Sequence, residues 1–293
     1  MRSTVYQRDN VAAWDVARPE RASRVAGVTM AGFGVRSLTA LRMVPHPALT
    51  MILEFGAGQP IVDDAAGGQQ RGSLVAGLGF GFGGAVLARG ENVVCVQVRL
   101  SPLIARAVLG ASPADLQGAV VSVDDLWGRE ASRIRERLGE VSSWEERFAL
   151  TDALLARRNE AASAVDAEVA WAWRRILTGR GLVRVDSLAA EVGWSRKRLW
   201  SRFRSQLGMQ PKLAAKLVRF DHAVHRLVAG EGAARVAADG GYADQSHLHR
   251  DVVAFTGVTP TTVAGEPWLT VDDTAWPATK HPPKARHERL GDR

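Results

Sequence analysis

Short apolar stretches separated by glycine and proline dominate the chain between residues 28 and 100. The clearest are residues 49–55, 73–80 and 92–100. Their lengths and their flanking breakers favour β-strands and hairpins over helices. Residues 1–27 are mostly polar, and we expect them to be irregular, with Trp14 as their large apolar anchor.

The hydrophobic spacing becomes helical after Ser101 and Pro102. The segments with this spacing are residues 103–110, 123–128, 129–141 and 144–158. A polar, alanine-rich stretch, residues 159–168, is the best candidate for a linker between the two halves. The second half carries helical periodicity almost throughout, as far as Gly265.

Residues 186–208 have the spacing of a helix-turn-helix unit. Asp186 or Ser187 can cap a first helix that ends at Val192, and Ser195 can cap the second helix. In the second helix an apolar stripe recurs every four residues and faces the core, namely Leu199, Phe203 and Leu207. At about 100° per residue, the opposite face presents Lys197, Arg198, Ser201 and Arg204, with Trp200 on its flank.

Residues 234–257 repeat this arrangement, with Asp244 as the cap of the second helix. The predicted inward positions are Leu248, Val252 and Phe255. The predicted outward positions are Ser246, His247 and Arg250, flanked by Gln245 and His249. In the major groove, arginine can pair with guanine and glutamine with adenine. One long amphipathic helix joins the two units, so both could lie in successive major grooves on one face of DNA.

The charge pattern supports contact with nucleic acid. The chain has a formal net charge of +7. Residues 195–219 include no aspartate or glutamate, and their cations are Arg196, Lys197, Arg198, Arg202, Arg204, Lys212, Lys216 and Arg219. A solvated basic helix face is the ordinary explanation of such a run. Because this run coincides with a predicted recognition helix, we favour attraction to phosphate.

From about residue 167 to residue 268, the chain resembles the AraC/XylS family of bacterial transcription regulators. The most specific match is residues 241–260, GYADQSHLHRDVVAFTGVTP, which is similar to the signature of the family's second unit. The resemblance implies sequence-specific DNA binding by a seven-helix domain. It also implies that bases are contacted from residues 195–202 and 244–250.

Two positions depart from the family pattern. Ser201 stands where the family usually has an arginine, so a DNA contact is missing there or is moved to Arg202. Val252 replaces a usual phenylalanine in the core. A first unit that only steadies the protein on the DNA backbone therefore stays open. The candidate DNA-binding residues are Ser195, Arg196, Lys197, Arg198, Trp200, Ser201, Arg202, Arg204, Gln245, Ser246, His247, His249 and Arg250.

These observations predict an α+β protein with two domains and a tail. Residues 1–160 form a mainly β domain with flanking helices, and a cupin-like barrel is one form it could take. This half loosely resembles the effector-sensing or dimerising domains that accompany such DNA-binding domains, and a sensing role and a structural role stay equally open. Residues 167–268 form the all-α tandem helix-turn-helix domain. The prolines and charges of residues 272–293 predict a disordered tail.

Composition narrows the function classes. No apolar run approaches the roughly 20 residues of a membrane span, and the N-terminus lacks the apolar region of a secretory signal. Cys95 is the single cysteine, so an intrachain disulfide and a cysteine-based zinc site are excluded, and its apolar strand favours a buried, unreactive thiol. We therefore expect a cytoplasmic protein with no cofactor and no membrane partner.

Other candidate sites have weaker support. Residues 79–84, GFGFGG, match a dinucleotide-binding pattern, but no long helix and no acidic residue follow at the required distances, so a turn between strands is favoured. His46 is alone in its domain, which argues against a histidine-metal centre. His247 and His249 diverge by about 200° on a helix, so they cannot chelate one ion together. No metal site is predicted.

The leading hypothesis is a one-component transcription regulator in which the N-terminal half controls a C-terminal domain that binds double-stranded DNA. Its further partners would be a small-molecule effector, RNA polymerase and a second copy of the chain. One alternative is an enzyme in the β-domain, or a protein-interaction module, with a helical domain that binds DNA only weakly. Since residues 1–160 offer one histidine and one cysteine, we do not expect an enzyme.

Overall fold

An antiparallel β-sheet forms the core of the N-terminal half. The computed structural model describes residues 4–6, 14–63, 68–160 and 165–276. Its strands are β1 (Thr4–Tyr6), β2 (Trp14–Ala17), β3 (Val28–Met43), β4 (Leu49–Glu54), β5 (Ile61–Asp63), β6 (Gln69–Arg71), β7 (Leu74–Ala76), β8 (Val86–Leu100) and β9 (Val120–Ser122). Within these described ranges the pairing order is β1-β2-β3-β8-β4-β7-β9, and β5 pairs with both β6 and β8. The predicted mainly β character of this half is confirmed.

Strands β3 and β8 run side by side for most of their length and organise the sheet. Val28 pairs with Leu100 at one end of this ladder. Strand β8 is rich in valine, and β3 carries valine, threonine and phenylalanine, all of which favour a pleated, partly buried surface. The register shifts between Leu38 and Leu41, and an irregularity of this kind bends a strand and increases its twist.

Two expectations for this half were wrong. Residues 1–27 are not irregular throughout, because β1 and β2 extend the sheet, and Trp14 is buried against its neighbours. The predicted strand at residues 73–80 is shorter, because β7 ends at Ala76. Gly77 follows, where a Cβ would overlap the carbonyl oxygen of Leu116, and the chain then turns. The predicted glycine-rich turn at residues 79–84 lies between β7 and β8, which confirms that expectation.

The helices that follow β8 along the chain pack against the sheet. They are α1 (Pro102–Leu109), α2 (Val123–Trp127), α3 (Arg129–Glu140) and α4 (Trp144–Glu160). Ser101 caps α1 by accepting a hydrogen bond from the N–H of Leu103. Gly32 of β3 leaves room for Trp144 at the start of α4, since a Cβ at Gly32 would overlap the indole ring.

Seven helices lie in the part of residues 165–266 that the structure describes, as the resemblance implies. They are α5 (Ala167–Thr178), α6 (Val185–Glu191), α7 (Arg196–Leu207), α8 (Pro211–Val228), α9 (Ala233–Asp239), α10 (Gln245–Thr256) and α11 (Pro260–Ala264). Helix α8 is the predicted long connecting helix, and it packs against α5, α7, α9, α10 and α11. The all-α character of this region is confirmed, and α8 is its centre.

A further helix, α12 (Pro267–Ala275), carries the chain back to the β-sheet. The Trp268 ring lies 5.7 Å from the Trp14 ring and 5.4 Å from the Phe33 ring, between centroids. The Trp276 ring also contacts Phe33, with 5.7 Å between centroids. Residues of β2, β3 and α12 therefore share one buried apolar cluster with Trp276.

The predicted start of the tail at Asp272 was wrong. Asp272 is 2% exposed and pairs with Arg99 of β8, whose guanidinium lies 3.8 Å from the centroid of the Trp276 ring. A charged residue near a proline-rich end suggests a solvated tail, but its partner here lies 173 positions earlier in the chain. Residues 277–293, the rest of the predicted tail, lie outside the described residues.

Cys95 on β8 is buried, as predicted, and burial raises the pKa of its thiol to about 12. Among the helices of the described residues, none is both long enough and apolar enough to cross a membrane.

Trp268→Ala should lower the free energy of unfolding by about 3–5 kcal/mol, because it leaves a cavity between α12 and the sheet. Trp200→Ala, the same change at a residue that is 40% exposed, should cost far less. Urea titrations followed by circular dichroism measure both values. Equal losses for the two variants would contradict a structural role for α12.

Candidate nucleic-acid interface

The first helix-turn-helix unit consists of α6 and α7. Its predicted apolar stripe is confirmed, because Leu199, Phe203 and Leu207 have no exposed surface. The predicted cap is confirmed as well, since the Ser195 Oγ accepts a hydrogen bond from the N–H of Arg198 at 3.2 Å. The start of α7 is thus fixed by Ser195, and its orientation is fixed by the buried stripe.

The cap predicted for α6 at Asp186 or Ser187 was wrong. Helix α6 begins at Val185, after Arg184, with no side-chain hydrogen bond at its N-cap. Asp186 therefore lies in the first turn, where a carboxylate is favoured by the helix dipole. Its Oδ1 is 2.7 Å from the Nε of Arg196, so the side chain that was predicted to cap α6 instead holds the start of α7.

The opposite face of α7 is open to solvent. Its exposed residues are Arg196, Lys197, Arg198, Trp200, Ser201, Arg202 and Arg204. Two of the guanidinium groups lie over indole rings, that of Arg198 at 4.4 Å from the Trp194 centroid and that of Arg204 at 5.4 Å from the Trp200 centroid. Contacts of this kind orient a guanidinium without neutralising its charge.

Arg202 is already bound within the chain. Its Nε and one terminal nitrogen lie 2.7 and 2.8 Å from the two carboxylate oxygens of Asp166, at the start of α5. The hydrogen bond from Arg202 holds the pKa of Asp166 below its usual range. A DNA contact moved from Ser201 to Arg202 would therefore have to replace this bidentate pair.

The second unit consists of α9 and α10 and repeats the same construction. Leu248, Val252 and Phe255 are fully buried, as predicted. The Asp244 Oδ1 accepts a hydrogen bond from the N–H of His247 at 2.7 Å, which confirms the predicted cap. The exposed residues of α10 on this side are Gln245, Ser246, His249 and Arg250.

His247 differs from the other candidates on α10 because it is only partly exposed. Its ring stands edge-on to Tyr242, with 5.3 Å between centroids. Its Nε2 lies 3.9 Å from Asp251, and its Nδ1 lies 3.4 Å from the backbone nitrogen of Ala243. These contacts give His247 a part in shaping the turn before α10.

Asp251 is the functional-region residue that the sequence analysis missed. It is 3% exposed, and it lies 3.1 Å from the Nζ of Lys216 and 3.0 Å from a terminal nitrogen of Arg219. The sequence does contain a signal for a buried ion pair. Asp251 lies three residues after Leu248, on the buried face of the helix, where a carboxylate needs a partner. Two cations that were counted toward DNA attraction are therefore bound inside the domain.

Four cations of the basic run form no ion pair within the described residues. They are Lys197, Arg198, Arg204 and Lys212. Three of the four lie on α7, and Lys212 is exposed at the start of α8. The charge available to an anion is thus concentrated on and beside the first candidate recognition helix.

The C-terminal end of α10 contacts the N-terminal half directly. Arg42 of β3 donates a hydrogen bond to the carbonyl of Thr256 at 2.7 Å, and its Nε lies 3.0 Å from Glu266. The N–H of Gly83 donates to the carbonyl of Ala254 at 2.8 Å. These donors satisfy carbonyls that the last turn of a helix leaves without an internal partner.

The C-terminal end of α7 contacts the N-terminal half as well. Gly208, in the left-handed region with φ of 79°, ends α7. It lies so close to the Pro113 carbonyl that a Cβ at position 208 would overlap it, and a Cβ at Gly79 would overlap Met209. Both candidate recognition helices therefore end against the same half of the molecule.

A family model described as "Helix-turn-helix domain" matches residues 188–265. This range begins within α6 and ends just after α11, so it contains both units described above. No curated protein matches the chain.

Solved structures of three regulators are similar to this chain. ToxT from Vibrio cholerae O395 has 10% identity and a TM-score of 0.46 over 82% of this chain and 98% of its own. The AraC-like transcriptional activator CuxR has 16% identity and a TM-score of 0.33, over 83% of this chain and 89% of its own. The C-terminal domain of AraT, a response regulator from Geobacillus stearothermophilus, has 19% identity and a TM-score of 0.33 over 35% of this chain and 87% of its own. At these scores, none of the three indicates what this chain binds.

Asp251→Asn should lower the free energy of unfolding by about 3 kcal/mol, near the lower end for breaking a buried ion pair, because Lys216 and Arg219 keep partial access to water. Asp166→Asn removes a carboxylate that also pairs with arginine, but at the surface, and should have a much smaller effect. Denaturant titrations of the two variants test this difference. If Asp251→Asn were as stable as the unmodified chain, the stabilising role of the Asp251 ion pairs would be contradicted.

Proposed function

We propose that this chain, whose residues 188–265 form an AraC-type helix-turn-helix domain, is a transcription regulator. It would contact two adjacent major-groove segments of double-stranded DNA, one with α7 and one with α10. The observation that carries the proposal is the pairing of two capped helices with exposed polar faces and buried apolar stripes. A helix held in this way can present its first turns to base edges in the groove.

The two helices would contribute different contacts. On α7, Lys197, Arg198 and Arg204, which form no ion pair in the described part of the chain, suit phosphates and guanine edges. Arg196 and Arg202 are instead held by Asp186 and Asp166. The remaining candidates on α7 are Ser195, Trp200 and Ser201, whose exposure leaves them free to touch the backbone.

On α10, Gln245 and Arg250 have the chemistry for adenine and guanine. Ser246 and His249 flank them on the exposed surface, and His247 supports the turn. The Nε of Arg250 lies 3.3 Å from the carbonyl of Ser246, a weak contact that a base could replace. This helix would therefore supply most of the sequence preference, and α7 most of the charge.

The N-terminal half would control DNA binding through its contacts with the C-terminal ends of α7 and α10. Any displacement of Arg42 or of the turn at residues 79–84 changes the support of α10. A cavity of about 540 Å³ lies between the halves, lined by Thr29, His46, Trp173, Leu177 and His225 among others. Its volume falls in the range of about 300–1,000 Å³ that small-molecule sites occupy, so it is the better candidate for an effector. The apolar cavity inside the sheet measures only about 50 Å³.

Selection from a pool of random double-stranded DNA by the full-length chain should yield a consensus with two subsites. Lys197→Ala and Arg250→Ala should each weaken binding to that consensus by about 1–3 kcal/mol, measured by gel-shift titration. Arg133→Ala removes an exposed arginine from α3 and serves as the matched control, with unchanged affinity. If no consensus emerges, or if both variants bind as tightly as the unmodified chain, the proposal fails.

Binding to the consensus should weaken steeply as salt rises, because cations on α7 would displace counterions from phosphates. Arg198→Ala should reduce the slope of log affinity against log salt concentration by about 1, with no change in the preferred sequence. Fluorescence anisotropy at several salt concentrations gives the slope. A flat salt dependence of the unmodified chain would contradict phosphate contacts from α7.

A further inference from the structure

Two histidines and an aspartate meet where the two halves touch. His46 lies in the loop between β3 and β4, and Asp221 and His225 lie one turn apart on α8. The His46 Nδ1 is 2.8 Å from the Asp221 Oδ1, and the His225 Nε2 is 3.7 Å from the same oxygen. One ligand atom from each residue lies within 4.8 Å of the other two.

These separations suit a metal ion of tetrahedral preference. Ligand atoms about 2.0–2.1 Å from Zn²⁺ stand roughly 3.3 Å apart along a tetrahedral edge. The two distances to the Asp221 oxygen lie on either side of this value. The third separation, between the ligand atoms of the two histidines, is within 4.8 Å.

The second nitrogen of each ring faces a carboxylate, as in most histidines that bind metals. The His225 Nδ1 lies 3.2 Å from the Asp273 Oδ1. The His46 Nε2 is buried, has no hydrogen-bond partner among the residues that the structure describes, and lies 3.6 Å from the Asp272 Oδ1. A metal bound at the His46 Nδ1 would fix the proton on Nε2 and direct it toward Asp272.

The charge of the cluster favours a divalent cation. Asp221, Asp272 and Asp273 surround the rings, and Arg99 pairs with Asp272. Three carboxylates against one guanidinium leave two negative charges when both rings are neutral. A divalent ion would balance them. Although burial opposes its charge, hydrogen bonds to Asp221 and Asp273 raise the pKa of His225 to about 10, so protons compete with the metal.

We propose that His46, Asp221 and His225 bind one divalent transition-metal ion of the Zn²⁺ type at the contact between the two halves. The adjoining cavity of about 540 Å³ gives access to a fourth coordination position, for water or for Asp272, whose Oδ2 is 3.9 Å from the His225 Nε2. Because one ligand comes from the N-terminal half and two come from α8, the ion links the halves.

Isothermal titration of the full chain with Zn²⁺ at pH 8 tests the site independently of DNA binding. We expect one ion per chain, and an affinity at least about 10-fold weaker in His46→Gln and His225→Gln, since even outer partners of a metal contribute that much. His281 and His287 offer a competing site, so the double variant His281→Ala/His287→Ala is the control and should keep the full affinity.

Two further measurements keep the proposal open to refutation if a variant folds poorly. Co²⁺ should give the intense visible absorption of a tetrahedral site in the unmodified chain and in the double variant His281→Ala/His287→Ala (the tail variant), but not in His46→Gln. Zn²⁺ should raise the midpoint of thermal unfolding of the same two proteins. Loss of Zn²⁺ binding in the tail variant, or equal binding by all four proteins, would overturn the proposal.

Discussion

The docking of helix α12 on the β-sheet is the contact on which the arrangement of the molecule depends. Trp268 and Trp276 fill the space beside Phe33, and the buried Asp272 is matched by Arg99. Because α12 follows α11 after two residues, this docking brings the helical half against the sheet. The ends of α7 and α10 then meet the N-terminal half, at Gly208 for α7 and at the carbonyls of Ala254 and Thr256 for α10.

The distribution of charge follows from the same packing. A run of basic residues along the chain suggests one continuous cationic surface, but folding brings acids to several of its members. Asp251 pairs with Lys216 and Arg219 inside the domain, and Asp166 binds Arg202 from the N-cap of α5. What stays available to an anion is a smaller group of cations on and beside α7.

Local features could be predicted from the sequence because they depend on near neighbours. The caps at Ser195 and Asp244 and the buried stripes of α7 and α10 follow from spacing alone. Contacts between distant segments could not be predicted in this way. His46 is the single histidine of residues 1–160. Only the fold stacks its ring on that of His225, with 5.9 Å between centroids. The helix of Asp272 was missed for the same reason.

The shared support of α7 and α10 has a consequence for the DNA that such a protein would choose. Because α7 and α10 both end against the N-terminal half, the distance between them and their relative rotation about the duplex would be constant. DNA turns once in about 10–10.5 base pairs, so inserting half a turn between the subsites moves one of them to the far side. The phase of the two subsites would then be as much a part of the operator as their bases.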